Sequence, residues 1–456
     1  MRHSLLGSLL PDRSAGTAGD RVRPQAGFYG WKLLAVLWAI LVVNLAFPYY
    51  GAGLLGAYMA NELHFDRGTL GLCFAIFQWT TALPAPLVAL CLNRKGVRFT
   101  LVLGSALLCL GSFLMAVFAH SAWQVYVAFG GVVGTGVLTG SMVATQTGIG
   151  RWFEKRKALA ISVLLTGPYI GGFIAPLVLN WVVVGSGGHW RSGWGLMSAL
   201  SLLAAVLALV CVKESPAELG QYPDGGPVAP PRVAAGAGVV QPKGSVYRTA
   251  EDWSFPEVLR SPQLWLLVLA AVGFSTGLGT FLSHGIIHLR DLGHTAGEAA
   301  LALSVMSLAS LAGTLVVAGL GDRIEPRLIF SVASAVGGLG YLLALHAAGT
   351  GSLYLCVVLL GVGLGACPPC LMTIPANYFG NGPYASIVGL LSATGPTAGA
   401  IAAWGAGFAY SQLGSYRLAF NVIAATCFAG AVLALLATPP LRRAAPAVTL
   451  SVGCSR

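Results

Sequence analysis

Charge is what this sequence has least of. Only 9% of its 456 residues are Asp, Glu, Lys or Arg, against roughly 25% in soluble domains. So few charges cannot coat a water-facing surface, and a soluble protein is excluded. Disorder, collagen and a small disulfide scaffold are excluded too, since 56% of residues are hydrophobic and only nine are cysteine. The sequence also lacks a Gly-x-x-x-x-Gly-Lys-Ser/Thr phosphate loop, so ATP is not the driving force. With no metal-ligand cluster and no nucleophile–base pair, the sequence predicts no metal, no cofactor, no catalytic residue and no enzyme.

What is present is apolar sequence in lengths that fit a bilayer, and mean hydropathy is +0.77. Gly (61), Pro (24) and Trp (11) suit helices in lipid, which tolerate the first two and anchor the third at the interface. Apolar runs near the ~20 residues that cross a bilayer recur twelve times. They fall at about 32–58, 69–91, 98–119, 123–147, 157–183, 190–212, 263–288, 298–320, 327–347, 352–377, 384–411 and 416–438. The expected organisation is a disordered tail (1–27), a six-helix bundle (28–212), a linker loop (213–260), a second bundle (261–438) and a short tail (439–456). The first tail carries Arg2, Arg13, Arg21 and Arg23 but no apolar core before a cleavage site, so it does not read as a signal peptide.

Of the 26 Lys and Arg, 22 lie in the tails and the loops that share one side with them. Arg67, Arg191, Arg290 and Arg417 lie on the other. Positive residues stay on the cytosolic side, so both termini are expected there. The net charge of +11 therefore reports topology and not nucleic-acid binding.

Pieces of the first six spans recur in the second six. Asn93-Arg94-x-x-x-Arg98 returns as Asp322-Arg323-x-x-x-Arg327 at an offset of 229, and Gly134-x-Gly136 as Gly363-x-Gly365 at the same offset. Gly167-Pro168-x-x-Gly171 returns as Gly395-Pro396-x-x-Gly399 at 228. Such echoes mark an internal duplication.

On these residues the chain resembles the major facilitator superfamily. The resemblance implies an all-α membrane protein with twelve transmembrane helices in two pseudo-symmetric six-helix bundles. It also implies a cytosolic latch formed by Asn93, Arg94, Arg98, Asp322, Arg323 and Arg327, in which Asn or Asp caps a helix and Arg reaches the other half. The stretch Arg151 to Ala160, with Tyr29-Gly30-Trp31, Phe47-Pro48 and Tyr378-Phe379-Gly380, resembles the monocarboxylate and oxalate/formate branch. Mammalian members of that branch place a Lys after the Phe-Pro pair and an Asp and an Arg in helix 8, and the oxalate branch places a Lys in helix 11. Here Tyr49 follows Phe47-Pro48, residues 299–320 hold no ionisable group, and 384–411 hold no Lys.

The expected solute-binding side chains are therefore uncharged: Asn44, Tyr49, Gln146, Tyr169, Thr276 and His284. His284 and His288 stand one turn apart on the face that carries Gly277 and Thr280. They either line the outer mouth of the pathway or rest at the external interface against water. Polar side chains in a bundle also serve to join helices, and Cys367-Pro368-Pro369-Cys370 reads as a kink. The sequence thus predicts a gradient-driven or facilitative carrier of small organic anions, monocarboxylate-like, working by alternating access in the plasma membrane. Its expected partners are a small-molecule solute, a co-transported proton and the bilayer, with the monomer as the working unit. Helix 5's Gly-Pro motif keeps export of a neutral or amphiphilic compound as an alternative, and a transport-dead sensor is a third.

Overall fold

The computed structural model describes residues 27–154, 156–225, 246–249, 253–321, 323–380 and 382–440. Most of both expected tails, residues 226–245 of the connection, Lys155 and Asp322 lie outside the described residues. Among the described residues there is no strand, and twelve long helices follow one another. They are α1 (Gly30–Glu62), α2 (Arg67–Thr80, continued by 85–95), α3 (97–118), α4 (Ala122–Trp152), α5 (Lys157–Gly185) and α6 (Trp190–Cys211). Then come α7 (Pro262–Asp291), α8 (Ala296–Leu320), α9 (Pro326–Ala344), α10 (Thr350–Phe379), α11 (Tyr384–Leu413) and α12 (Arg417–Leu436). One face of the bundle carries Tyr29, the 95–97 bend and the described parts of the connection, 213–225, 246–249 and 253–261, and is called the linker face below. The opposite face carries the joints at 63–66 and 292–295.

Eleven of the helices are long and apolar enough to cross a membrane without interruption. The exception is α2, which breaks at 81–84. Pro84 has no N–H to continue the ladder, and Pro86 follows in the next turn. Beside the break, Thr80 Oγ1 donates to Phe77 O at 3.0 Å and to Gly130 O of α4 at 2.5 Å, which ties α2 to α4. Pro48 acts more gently in α1, where residues Val42–Gly51 widen into a π-helix that keeps running.

The bend between α2 and α3 turns on Gly96, at φ 88°. A side chain there would be strained and would also strike Glu214, whose Oε1 lies 2.6 Å from where a Cβ would stand. Glu214 accepts from the backbone N–H of Val97 and Arg98 at 2.9 and 2.8 Å, so it caps α3.

The internal repeat is visible in how small residues let helices touch. A Cβ on Gly136 of α4 would lie 2.8 Å from Leu108 N and 3.0 Å from Gly104 O of α3. A Cβ on Gly363 of α10 would lie 2.5 Å from Gly337 N and 2.6 Å from Ala333 O of α9. The α3 and α9 partners are 229 residues apart, but Gly136 and Gly363 are 227 apart, so the 229 offset expected for this pair is corrected. Helices α4 and α10 begin 228 apart, at Ala122 and Thr350. The remaining residue is the increment of one π turn, and α4 has a π stretch at Tyr126–Val133.

Among the described residues α1 touches α7, where a Cβ on Gly53 would strike Leu282 O, and the first six helices meet the last six chiefly at two seams. At one, α2 lies on α11, and Gly71 brings the backbones so close that a Cβ would be 2.7 Å from Ala403 O. At the other, α5 lies on α8, and Ser307 Oγ donates to Tyr169 O at 2.9 Å.

A candidate solute pathway between the two halves

The seam of α2 and α11 is tied off at the opposite face. Arg67 of α2 donates to both carboxylate oxygens of Asp291 at the end of α7, at 2.9 and 3.2 Å. Ser411 Oγ of α11 donates to Asp66 Oδ2 at 3.0 Å and accepts from Gly68 N at 3.2 Å. The Arg67 guanidinium also stands 5.2 Å over the Tyr410 ring. The Thr69 hydroxyl, followed by that of Ser411 and the backbone N–H groups of Thr69 and Gly68, holds the Asp66 carboxyl below the usual carboxylate range. Near the linker face Arg98 reaches Val212 O and Glu218, and Arg151 reaches Glu214, all within the first half and its extension.

Beneath that closure lies a central cavity of about 180 Å³ walled by both halves. Its polar wall is Tyr49 of α1, Gln78 of α2, Ser275 of α7 and Ser392 of α11. Phe274, Leu278, Leu371 and Met372 supply apolar wall. A second cavity of about 340 Å³ lies toward the linker face between α5, α8 and α10, with Ser162, Thr166, Tyr169, Thr314 and Thr373 in its lining. Among the described residues, no Lys, Arg, His, Asp or Glu lines either cavity.

The expected binding residues divide between these cavities and the packed interior. Tyr49 lines the central cavity, where its ring meets Phe77 edge-on at 5.2 Å and its hydroxyl shares a 3.1 Å hydrogen bond with Thr81. Tyr169 lines the second cavity and crosses between halves, accepting from Thr314 Oγ1 at 2.9 Å. Asn44 lines neither. It is fully buried, and its Nδ2 donates to Ser105 Oγ and Gly140 O, both at 2.8 Å, so it ties α1 to α3 and α4. Thr276 lines neither of these but a third, apolar cavity of about 220 Å³ between α7, α11 and α12, where it shares a 3.0 Å hydrogen bond with Thr426. Gln146 is half-buried on α4 and lines neither cavity.

Neither expectation for the two histidines describes their surroundings. His284 is fully buried, with Nε2 2.8 Å from Ala403 O and Nδ1 3.0 Å from the Tyr416 hydroxyl. His288 is buried too, with Nε2 2.9 Å from Ala344 O. Both rings are held by groups of the second half, and His284 also faces the first, its Nε2 standing 3.2 Å from where a Cβ on Gly71 of α2 would lie.

The latch also differs from what the repeat implied. Asn93 and Arg94 are exposed, and the carboxylate that caps α3 comes from Glu214, not from Asn93. Arg98 bonds to groups that follow α6, and Arg327 donates to Leu435 O of α12. Both thus reach within their own half. Asp322 lies outside the described residues. Cys367 and Cys370 are buried in a continuous α10 whose helix carries Pro368 and Pro369.

Gln78, together with the Asp66–Arg67–Asp291 group, was not singled out from the sequence. For Gln78 a signal did exist in the glycines of the other half: a Cβ on Gly279 would lie 2.5 Å from Gln78 Nε2, and one on Gly399 would lie 3.2 Å from it. Gly399 closes the repeated Gly-Pro-x-x-Gly motif of α11.

The sequence pattern of the Major Facilitator Superfamily matches residues 33–290 and 273–451. The chain is 25% identical to the gentisate transporter of Corynebacterium glutamicum over 82% of its own length and 80% of that protein. It is 28% identical to bovine monocarboxylate transporter 13 over 74% and 73%. The likeness to mouse monocarboxylate transporter 14, 26% identical, spans 43% of this chain and only 38% of that protein. Among solved structures, a nucleoside transporter superposes with a TM-score of 0.69 at 13% identity, over 89% of this chain and 100% of that one. A D-xylose–proton symporter superposes with 0.68 at 16%, over 91% and 98%. With pattern, relatives and fold in agreement, the chain belongs to the Major Facilitator Superfamily of membrane transporters and within it resembles the monocarboxylate branch.

Proposed function

We propose that this protein carries small monocarboxylic acids across the membrane by alternating access, as a facilitative or proton-linked carrier and not as an enzyme. The observation that carries the reading is the central cavity, walled by both halves, with uncharged donors at Tyr49, Gln78, Ser275 and Ser392 and an apolar remainder. Hydroxyl and amide donors can hold a carboxyl group, and the apolar wall suits the organic remainder of a small acid. The names of the relatives, monocarboxylate and gentisate transporters, support the same class.

Residues 28–212 and 261–438 act as the two rocking bundles, joined by 213–260. The linker face, rich in Lys and Arg, is cytosolic, and both termini lie there. On that orientation the tied-off face is external, and the structure corresponds to a carrier closed to the outside. Solute passes when α2 separates from α7 at the Arg67–Asp291 tie and from α11 at the Asp66–Ser411 contact. The working unit is a monomer in the plasma membrane, and no cofactor takes part.

Counterflow in proteoliposomes tests the reading. Vesicles preloaded with a mixture of short monocarboxylates should take up labelled lactate, pyruvate or gentisate in a saturable way. Equal uptake with and without preloaded acid contradicts it. That no described residue of the cavity linings is cationic favours a second reading, export of a neutral or amphiphilic compound. Exchange of uncharged aromatics without exchange of acids would select it.

A further inference from the structure

Residues 78 and 307 are separated by 229, the offset that relates α3 to α9, and they occupy matching places at the two seams. Ser307 of α8 stands against Gly172 of α5, and its hydroxyl is satisfied by Tyr169 O at 2.9 Å. Gln78 of α2 stands against Gly279 of α7 and Gly399 of α11, with Nε2 and Oε1 at 3.2 and 3.3 Å from a Cβ placed on Gly399. Among the described residues no hydrogen bond holds its amide, although the side chain lies on the wall of the central cavity. The side chain is half-buried and its amide opens on the cavity, so a solute or water that enters there becomes its partner. A glycine on each facing helix leaves the space that the amide needs.

We propose that Gln78 is the specificity-determining residue of the pathway, and that it reads an un-ionised carboxyl or carboxamide group through two hydrogen bonds. A primary amide carries a donor and an acceptor side by side. An un-ionised carboxylic acid presents the complement: its O–H donates to Gln78 Oε1, and its C=O accepts from Gln78 Nε2. An ionised carboxylate offers acceptors only and satisfies half of the pair. A carboxamide offers both, and a methyl ester has no donor. The surroundings agree, since among the described residues the cavity lining holds no Lys, Arg, His, Asp or Glu, and Tyr49 is the one ionisable side chain there. An acid carried in this form takes its proton with it and needs no separate proton site on the protein.

The choice of an acid as solute rests on the function proposed above, so the test uses a neutral probe that does not depend on it. Thermal unfolding of the purified full-length protein is followed with benzamide, with methyl benzoate, and with neither. Benzamide should raise the midpoint of the wild type and methyl benzoate should not. Gln78→Leu, or Gln78→Met if the first does not fold, should weaken the benzamide effect at least tenfold in apparent Kd. Equal protection by amide and ester, no protection of the wild type by benzamide, or a variant with the wild-type Kd would each overturn the inference. Protection by benzamide that depends on Gln78, in a protein that exchanges no acid, would leave the inference standing and remove the acid-carrier reading.

Discussion

At the seam of α2 with α11, the contact near the bilayer middle is an amide without a partner, and the end is tied by Arg67, Asp291, Asp66 and Ser411. At the seam of α5 with α8, the middle contact is satisfied twice, by Ser307 on Tyr169 O and by Thr314 on the Tyr169 hydroxyl. The second seam keeps its polar groups occupied, as a pivot needs. The first concentrates its strength at one rim and leaves its middle available, as a gate beside a binding site needs. The duplicated helices thus supply equal scaffolds, and a few side chains at matching positions divide the work.

The largest effect should come from forcing the first seam apart. Gly71→Leu places a side chain where Ala403 O already lies 2.7 Å from a Cβ. Exchange in proteoliposomes should fall more than tenfold while far-UV circular dichroism keeps its helical signal. Normal exchange would mean that the α2–α11 contact is not part of the transport cycle.

Next in size is Asn44→Leu, which leaves Gly140 O and Ser105 without their donor. It should cost about 1–3 kcal/mol, the penalty of stranding buried polar groups, read as a lower unfolding midpoint. Solute affinity should stay within about twofold, because Asn44 lines neither cavity. A selective loss of affinity would move Asn44 into the binding site.

Twelve spans were legible because a membrane helix announces itself by an uninterrupted apolar run, and the pair of prolines at 84 and 86 hid only a break inside one of them. The orientation of polar side chains was far less legible. Thr394 and Thr397 donate to Leu390 O and Ala393 O one turn back on their own helix, while Thr314 reaches across to Tyr169. A hydroxyl in a helix can take either course, and composition does not distinguish them. Asn44 and His284 drew attention because a polar group in lipid is costly. Protein groups meet much of that cost: Ser105 and Gly140 accept from the Asn44 amide nitrogen, although its Oδ1 stays buried without a partner among the described residues, and Ala403 and Tyr416 hold His284. The latch expected from Asn93 was misplaced because its capping role is taken by Glu214, more than a hundred residues away in sequence.

Smaller effects should sharpen the contrast of rim and middle. Arg67→Gln removes a partly exposed pair, a loss of about 0–1 kcal/mol in stability. The ratio of open to closed carriers should shift by up to about fivefold toward outside access, read by labelling Ser275→Cys from outside in a cysteine-free background. Unchanged labelling would show that the ion pair holds nothing shut.

The smallest effect concerns pH. Asp66 has a lowered pKa in the folded chain, so its contribution is complete above the unfolded carboxylate value near ~3.9. It is lost as pH falls through the lower folded value. Unfolding midpoints of the wild type and Asp66→Asn should therefore converge as pH drops below about 4, and a constant gap down to the lowest pH would contradict the assignment.

The central claim is that solute is held by neutral side chains between two moving halves. Counterflow of labelled gentisate or lactate into preloaded proteoliposomes, comparing the wild type with Gln78→Leu, tests it most directly. Saturable exchange by the wild type, with a severalfold rise in half-saturation for the variant, is the predicted result. Uptake that ignores preloading, or a variant that matches the wild type at every concentration, would contradict it.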